Sequence, residues 1–230
     1  VKNWTQWLKS SRFSYMSEDQ KEQTLRWLFG VRDKVLDRAD IKPGSVVIDI
    51  GTGTGLLAFG AYERLQNTGK VIASDKFSDC VEECAKIAQE CGIIDNFETL
   101  VSSADNILLP DNSVDVVVMR SVLVHILDKF APMKEFYRIL KPGGRVSFFE
   151  PIISSNTKYF ELLTPSNIPE YERFKQAELE FMIDANDPLT NFDEKTLVAD
   201  MQKAGFVDID LDLGIEQSTY QVSESMIDPW

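Results

Sequence analysis

The sequence predicts an α/β protein with a mostly parallel β-sheet, on two observations. Short runs of β-branched residues alternate along the chain with segments in which apolar residues recur at helical spacing. The first such run, Val46–Ile50, ends in a glycine-rich turn, after which the chain becomes helical through Leu57 and Ala61. Strand, glycine turn and helix in that order predict a Rossmann-like, doubly wound sheet of six to seven strands flanked by helices.

The other elements are predicted from local patterns in chain order. Ser17 and Gln20 have the form of a capping box, which begins a helix with apolar residues up to Ala39. Further helices are expected at 78–91, 132–140 and 193–204. Further strands are expected at 70–74, 97–101 and 114–120, in a stretch ending at 149, and at 206–213, where apolar and acidic residues alternate. A seventh strand would have only 218–222, which matches a strand pattern poorly.

Length and composition indicate one main domain. The chain has 230 residues, of which 43% are hydrophobic and 27% charged, enough for a single packed core. We predict a helical segment at 1–40 and a main domain at 41–230. Within that domain an insert at about 152–192 interrupts the regular alternation of strands and helices. We expect the natural chain to extend beyond Trp230.

Charge restricts the classes of partner. The net charge of −13 disfavours nucleic acids and acidic membrane surfaces, because both attract basic proteins. No apolar run reaches the length of a membrane span, about 18 residues. No signal peptide is visible, and three cysteines (Cys80, Cys84 and Cys91) make an odd number. We therefore predict a cytoplasmic protein with buried, unpaired thiols and no metal site.

The glycine turn fits two nucleotide cofactors. Read from Gly53, it gives Gly53-x-Gly55-x-x-Ala58, followed by Asp75 at the end of the next predicted strand. This spacing is typical of a dinucleotide site, in which the later acid binds a ribose. The alternative pattern begins at Asp49 and places a glycine at every second position up to Gly55. Asp75 does not decide between them, because both use an acid there.

The alternative pattern resembles motif I of the class I S-adenosylmethionine-dependent methyltransferases. Two later segments are similar to those of the methyltransferase-11 and menaquinone-methyltransferase types. One is the turn at Pro110–Ser113 with the strand that follows it, and the other is Leu140-Lys-Pro-Gly-Gly-Arg-Val146. Dehydrogenases have no reason to carry the second. The matches cover roughly residues 44–151, so the resemblance favours S-adenosylmethionine as the cofactor and S-adenosylhomocysteine as the product.

The resemblance implies a set of cofactor-binding residues. Motif I would hold the methionine part of the cofactor, Asp75 the ribose, and residues 103–105 the adenine edge. Ser103 stands where the family has an acid, and Asp105 is the nearest carboxylate that could replace it. The full predicted set is Asp49, Gly51, Thr52, Gly53, Gly55, Asp75, Lys76, Ser103, Ala104, Asp105, Arg120 and Ser121.

Catalytic residues are hard to predict, because methyl transfer from a sulfonium needs orientation more than a protein nucleophile. His125, the only histidine, is either a base or an apolar filler. Glu150 follows the fifth strand and is predicted to face the active-site cleft.

Two segments are candidates for contacting the acceptor. In the family that the chain resembles, an N-terminal helix often covers the cofactor, which makes Arg12 and Tyr15 candidates. The insert contributes Tyr159 and Tyr171 among many acidic residues. It would either hold an organic cation or form a solvated helix with an aromatic packing face.

The sequence therefore predicts a methyltransferase that acts on a small molecule or a peptide. Two alternatives remain at this stage. One is an NAD(P)-dependent oxidoreductase, and the other is a non-catalytic S-adenosylmethionine-binding module of a larger protein.

Overall fold

A five-stranded parallel sheet forms the centre of the computed structural model, which describes residues 16–93, 95–165 and 169–214. Its strand order is β3-β2-β1-β4-β5, so the chain reverses direction across the sheet between β1 and β4. Ligands of open α/β sheets bind at such a reversal. The strands are β1 (Val46–Ile50), β2 (Lys70–Asp75), β3 (Phe97–Val101), β4 (Val114–Arg120) and β5 (Leu140–Phe149).

Helices cover both faces of this sheet. The described helices are α1 (Glu18–Arg38), α2 (Leu56–Leu65), α3 (Ser78–Glu90), α4 (Phe130–Ile139), α5 (Tyr159–Leu162), α6 (Tyr171–Met182) and α7 (Glu194–Ala204). None of them is long and apolar enough to cross a membrane. The predicted parallel, helix-flanked α/β architecture is confirmed for the described part of the chain.

Alternate residues of β1 pack into two separate hydrophobic cores. Val47 packs with apolar side chains of α1, α2 and α3 on one face. Ile48 and Ile50 pack on the other face with Phe136 of α4 and Leu197 of α7. Because both faces are buried, β1 and β4 are nearly continuous apolar runs, as parallel strands require.

Helix α1 begins at the predicted capping box, in which the Gln20 N–H donates to Ser17 Oγ and the Ser17 N–H to Gln20 Oε1. Its second half packs on α2 and β5, and Ser147 Oγ donates to the Val35 carbonyl at 2.8 Å. The second half of α1 therefore packs against the core and is not free to act as a lid. Any lid formed by the segment 1–40 would therefore involve the preceding residues, and Arg12 and Tyr15 lie outside the described part of the chain.

Two local predictions are wrong. Residues 206–213 follow α7 without forming a strand, and Val207 and Leu211 are exposed there. Alternation alone does not make a strand, because a strand forms only where its backbone pairs with a neighbouring strand. The expected count of six to seven strands is therefore not reached among the described residues, and the candidate at 218–222 lies outside them. Cys91, predicted to be buried, is exposed because α3 ends at Glu90.

Candidate functional site

The glycine turn after β1 is built from left-handed backbone. Gly51, Gly53 and Gly55 have φ angles of +65°, +55° and +88°, which residues with a Cβ rarely adopt. Space is also restricted: a Cβ at Gly51 would lie 2.3 Å from Val122 Cγ2, and one at Gly55 would lie 2.4 Å from the Phe59 ring. Glycine is thus required at both ends of the turn.

Asp49 braces this turn from inside the protein. Its carboxylate is 1% exposed, and Oδ2 accepts hydrogen bonds from Thr52 Oγ1 at 2.8 Å and from the Ala58 N–H at 3.0 Å. Burial raises the pKa of Asp49 to about 7, although these two hydrogen bonds oppose the shift. The buried carboxylate would be stabilised by any cation that approached it.

Asp75 joins the glycine turn to the end of β2. Its Oδ2 accepts the Gly53 N–H and its Oδ1 the Phe77 N–H, each at 3.0 Å. Burial raises the pKa of Asp75, against the effect of those hydrogen bonds. The next residue, Lys76, is exposed, with its ammonium 4.9 Å from the Phe77 ring centroid.

The predicted adenine contacts lie beside Asp75, in the loop after β3. The Ser102 N–H donates to the Asp75 carbonyl at 2.9 Å, which brings the start of this loop to the end of β2. Ser103 Oγ donates to the exposed Asp105 carboxylate, whereas Ala104 is buried in the core. Asp105 is therefore the carboxylate of this loop that is open to solvent.

On the other side of the glycine turn lies the end of β4. Ser121 has a φ of +55° and donates its N–H to the Phe149 carbonyl at 2.9 Å. Arg120 Nη1 donates to Ser121 Oγ at 3.3 Å, and its charge lowers the pKa of Asp49 slightly. The predicted cofactor residues thus lie along the carboxyl edge of four neighbouring strands, β3, β2, β1 and β4.

Glu150 holds the backbone of the loop that follows β4. Its Oε1 accepts the N–H groups of Val122 and Leu123 at 2.7 and 3.0 Å, and its Oε2 accepts that of Val124 at 3.3 Å. Burial raises the pKa of Glu150 to about 7 despite these three bonds. This arrangement fixes the 3-10 turn at Leu123–His125, and no local sequence pattern indicates it.

His125 occupies the last position of that turn. It is exposed, and its backbone N–H donates to the Val122 carbonyl at 3.0 Å. Its exposed imidazole lies in the loop held by Glu150, which makes it a candidate base. Among the described residues, no group of three or more His, Cys, Asp or Glu side chains is arranged to hold a metal ion.

Several acidic residues of the insert bond within the insert. Glu178 is buried and accepts the N–H groups of Tyr159 and Phe160 at 2.7 and 3.0 Å. Two other glutamates bond along helix α6: Arg173 pairs with Glu170 at 2.9 Å, and Gln176 donates to Glu180 at 2.8 Å.

The two predicted tyrosines of the insert differ in their contacts. Tyr171 donates its hydroxyl to the Phe160 carbonyl at 3.0 Å, so it connects α6 with α5. Tyr159 is 64% exposed. The insert also exposes large apolar side chains, namely Leu162, Leu163, Phe174, Phe181 and Ile183.

Comparison with known proteins identifies the family. The model of a methyltransferase domain matches residues 41–196, more than half of the chain. The chain belongs to this methyltransferase family. Its donor is S-adenosylmethionine, and it is a class I enzyme of the kind that motif I indicated. The family excludes the nicotinamide interpretation of the glycine turn.

Individual relatives are similar over most of the chain. One is the ubiquinone/menaquinone biosynthesis C-methyltransferase UbiE of Escherichia coli, 28% identical over 179 residues, which are 76% of this chain and 71% of the relative. The structure of YcgJ from Bacillus subtilis has a TM-score of 0.57 at 20% identity and covers 76% of this chain and 67% of its own. A SAM-dependent methyltransferase from Aquifex aeolicus has a TM-score of 0.52 at 24% identity, covering 71% and 88% respectively. The two structures share the fold.

Proposed function

We propose that this methyltransferase binds its donor along the carboxyl edge of the sheet and methylates a small, largely apolar acceptor, at a carbon atom. The observation that carries the acceptor class is the surface of the insert. There, large apolar side chains are exposed, while Glu178, Glu170 and Glu180 bond within the insert. An organic cation would be held best by carboxylates that have no such partners within the insert.

The motif I residues fit the methionine end of the donor. Asp49 is a buried carboxylate whose pKa is raised because burial removes the charged form from water. The positively charged ammonium of the donor would stabilise that charged form. The left-handed turn at Gly51, Gly53 and Gly55 lets the main chain approach the donor closely, and Thr52 orients Asp49 through its hydroxyl.

The nucleoside end fits the neighbouring strands. Each oxygen of Asp75 accepts one N–H group and retains acceptor capacity for a ribose hydroxyl. The exposed carboxylate of Asp105, oriented by Ser103, would accept the adenine amino group, with Ala104 packing beneath. Lys76 at the end of β2 and the pair Arg120 and Ser121 at the end of β4 border the same space.

The bound donor supplies a methyl carbon activated by the sulfonium charge. The protein's own residues orient the two reactants and exclude water, which suffices for an in-line displacement. His125 is the proposed base, accepting the proton that the acceptor loses. Glu150 is proposed to act by holding the loop that carries His125, and Tyr159 to contact the acceptor. Tyr171 supports α5, while Arg12 and Tyr15 remain predicted acceptor contacts.

Carbon as the accepting atom rests on the relative. The Escherichia coli protein is named as a C-methyltransferase of ubiquinone and menaquinone biosynthesis. An apolar ring acceptor agrees with the exposed apolar side chains of the insert. A cytoplasmic location remains a prediction and agrees with three free cysteines.

Release of S-adenosylhomocysteine tests the proposal. We would compare reduced menadione, which offers a ring carbon, with benzylamine and with a short lysine-containing peptide. We expect turnover with the ring compound alone, and its loss in Asp49→Asn. The variant His125→Ala should lower kcat with the ring compound while leaving S-adenosylhomocysteine affinity unchanged. Turnover with the amine or the peptide in preference to the ring compound would refute the proposed acceptor class.

A further inference from the structure

A buried lysine joins the loop after β4 to the last residues of the insert. Lys129 is 5% exposed, although lysine is rarely buried without partners. Its ammonium donates to the Ile126 carbonyl in the loop after β4, and to the Pro188 carbonyl at 2.8 Å. It also lies 4.5 Å from the centroid of the Phe192 ring. We call residues 121–128 the post-β4 loop and residues 187–192 the cover segment.

A second bond joins the same two segments. Asn191 Nδ2 donates to the Leu127 carbonyl at 2.9 Å, so the cover segment contacts the post-β4 loop at two points. Thr190 Oγ1 then donates to the Phe181 carbonyl at 3.1 Å, which connects the cover segment to the end of α6. The path from the post-β4 loop to the insert is thus made of specific hydrogen bonds.

The environment of Lys129 keeps the contact polar. Burial lowers the pKa of Lys129 to about 8, and the carboxylates of Glu150 and Asp187 oppose that shift. The ammonium therefore remains mostly charged at pH 7, and removing its carbonyl partners would leave a costly unpaired charge.

The post-β4 loop contacts the donor side at its other end. The Val122 side chain fills the space next to Gly51, so that a Cβ there would lie 2.3 Å from Val122 Cγ2. Glu150 holds the N–H of Val122 at 2.7 Å. A change at the glycine turn therefore meets the same loop that Lys129 joins to the cover segment.

We propose that Lys129 is a positioning residue, which couples donor binding at the glycine turn to ordering of the cover segment beside the acceptor. The proposal rests on the donor site described under the proposed function. Binding of the donor would press on the post-β4 loop through Val122, and the Lys129 contacts would transmit that ordering to residues 187–192. The acceptor side would then be complete only when the donor is present.

Hydrogen exchange with S-adenosylhomocysteine as the probe tests this coupling. Amides of the cover segment report directly, because Leu189, Thr190 and Asn191 all donate to Asp187. In the wild type we expect the probe to slow their exchange about ten-fold. In Lys129→Met, which keeps the apolar stem, the ratio of free to bound exchange rates should fall to about one. The affinity for the probe should weaken roughly five-fold.

Two further variants make the result specific. Lys134→Met removes an exposed lysine on α4 and should behave as the wild type. Asn191→Ala weakens the same junction without leaving a buried charge, and should reduce the ratio if Lys129→Met does not fold. If Lys129 were only structural, exchange would rise equally with and without the probe and the ratio would persist. That result, with the probe still bound, overturns the proposal but not the donor site; failure of the wild type to bind the probe overturns both.

Discussion

The proposed donor side and the proposed acceptor side of this methyltransferase differ in their structure. The donor side consists of backbone and buried carboxylates at the end of fully covered strands, with Asp49 and Asp75 each bonded to main-chain N–H groups. The acceptor side consists of short helices whose apolar side chains are exposed and whose acids bond within the insert. The difference implies that the donor site forms with the core, whereas the insert can change its acceptor without unfolding the sheet.

The largest expected effect lies in the glycine turn. Gly51→Ala would bring a Cβ to 2.3 Å from Val122, and we expect S-adenosylhomocysteine affinity to fall by about 100-fold or more, which is roughly 2.7 kcal/mol. Gly92→Ala is a matched control, because Gly92 also has a positive φ, +70°, but nothing lies within 4 Å of its Cβ position. Calorimetric titration of both variants separates backbone strain from loss of the site. Equal losses in the two variants would contradict the account.

The next effect concerns the charge of Asp49. Because its pKa in the folded protein is about 7, the carboxylate that attracts the donor's ammonium is mostly protonated at pH 6. S-adenosylhomocysteine affinity should therefore rise about ten-fold between pH 6 and pH 8. In Asp49→Asn affinity should be weak and independent of pH, while Glu150→Gln should retain the pH dependence. A wild-type affinity that did not change with pH would refute the role of Asp49.

The charged form of Asp49 should also destabilise the folded protein. The pKa of Asp49 is about 7 in the folded protein and about 4 in an unfolded chain. Between these two pH values the folded state therefore binds the proton more tightly than the unfolded state does. The contribution of Asp49 to stability is thus greatest below pH 4 and is lost as the pH rises through 7. Asp49→Asn should melt at a higher temperature than the wild type at pH 8, with the difference vanishing near pH 4. If Asp49→Asn melted at a lower temperature than the wild type at pH 8, burial of the charged carboxylate would not be destabilising.

A smaller effect is expected in the insert. Tyr171→Phe removes the hydroxyl that bonds to the Phe160 carbonyl at 3.0 Å, which should cost about 1 kcal/mol locally. Limited proteolysis should then cut the insert faster, while S-adenosylhomocysteine affinity changes less than about two-fold. A large loss of affinity would mean that α5 and α6 are coupled to the donor side by a route other than the cover segment.

The smallest effect is at the start of α7. Asp193 Oδ1 accepts the Thr196 N–H at 2.7 Å, and Asp193→Ala should destabilise the fold by about 1 kcal/mol. Lys195→Ala, an exposed neighbour, serves as the control. Thermal unfolding measures the difference, and donor affinity should remain that of the wild type in both. Loss of donor binding on removal of this cap would extend the donor site beyond the sheet edge.

Sequence patterns predicted the central strands and the glycine turn better than the contacts of the insert, for a physical reason. The β-branched runs of β1 and β4 and the glycine turn are local features, and they are found where the sequence placed them. The burial of Lys129 depends on Phe192, far along the chain, and no local pattern indicates it. The three N–H groups bonded to Glu150 likewise depend on two strand ends meeting. At 206–213 the local alternation predicted a strand, but the segment does not pair with the edge strand β5.

Calorimetric titration of the pure protein with S-adenosylhomocysteine and, separately, with NADH tests the central claim most directly. The account predicts one site for S-adenosylhomocysteine with a Kd of about micromolar order, which is lost in Gly51→Ala and retained in Gly92→Ala, and no heat with NADH. Absence of heat with S-adenosylhomocysteine in the folded wild type, or tight binding of NADH, would contradict it.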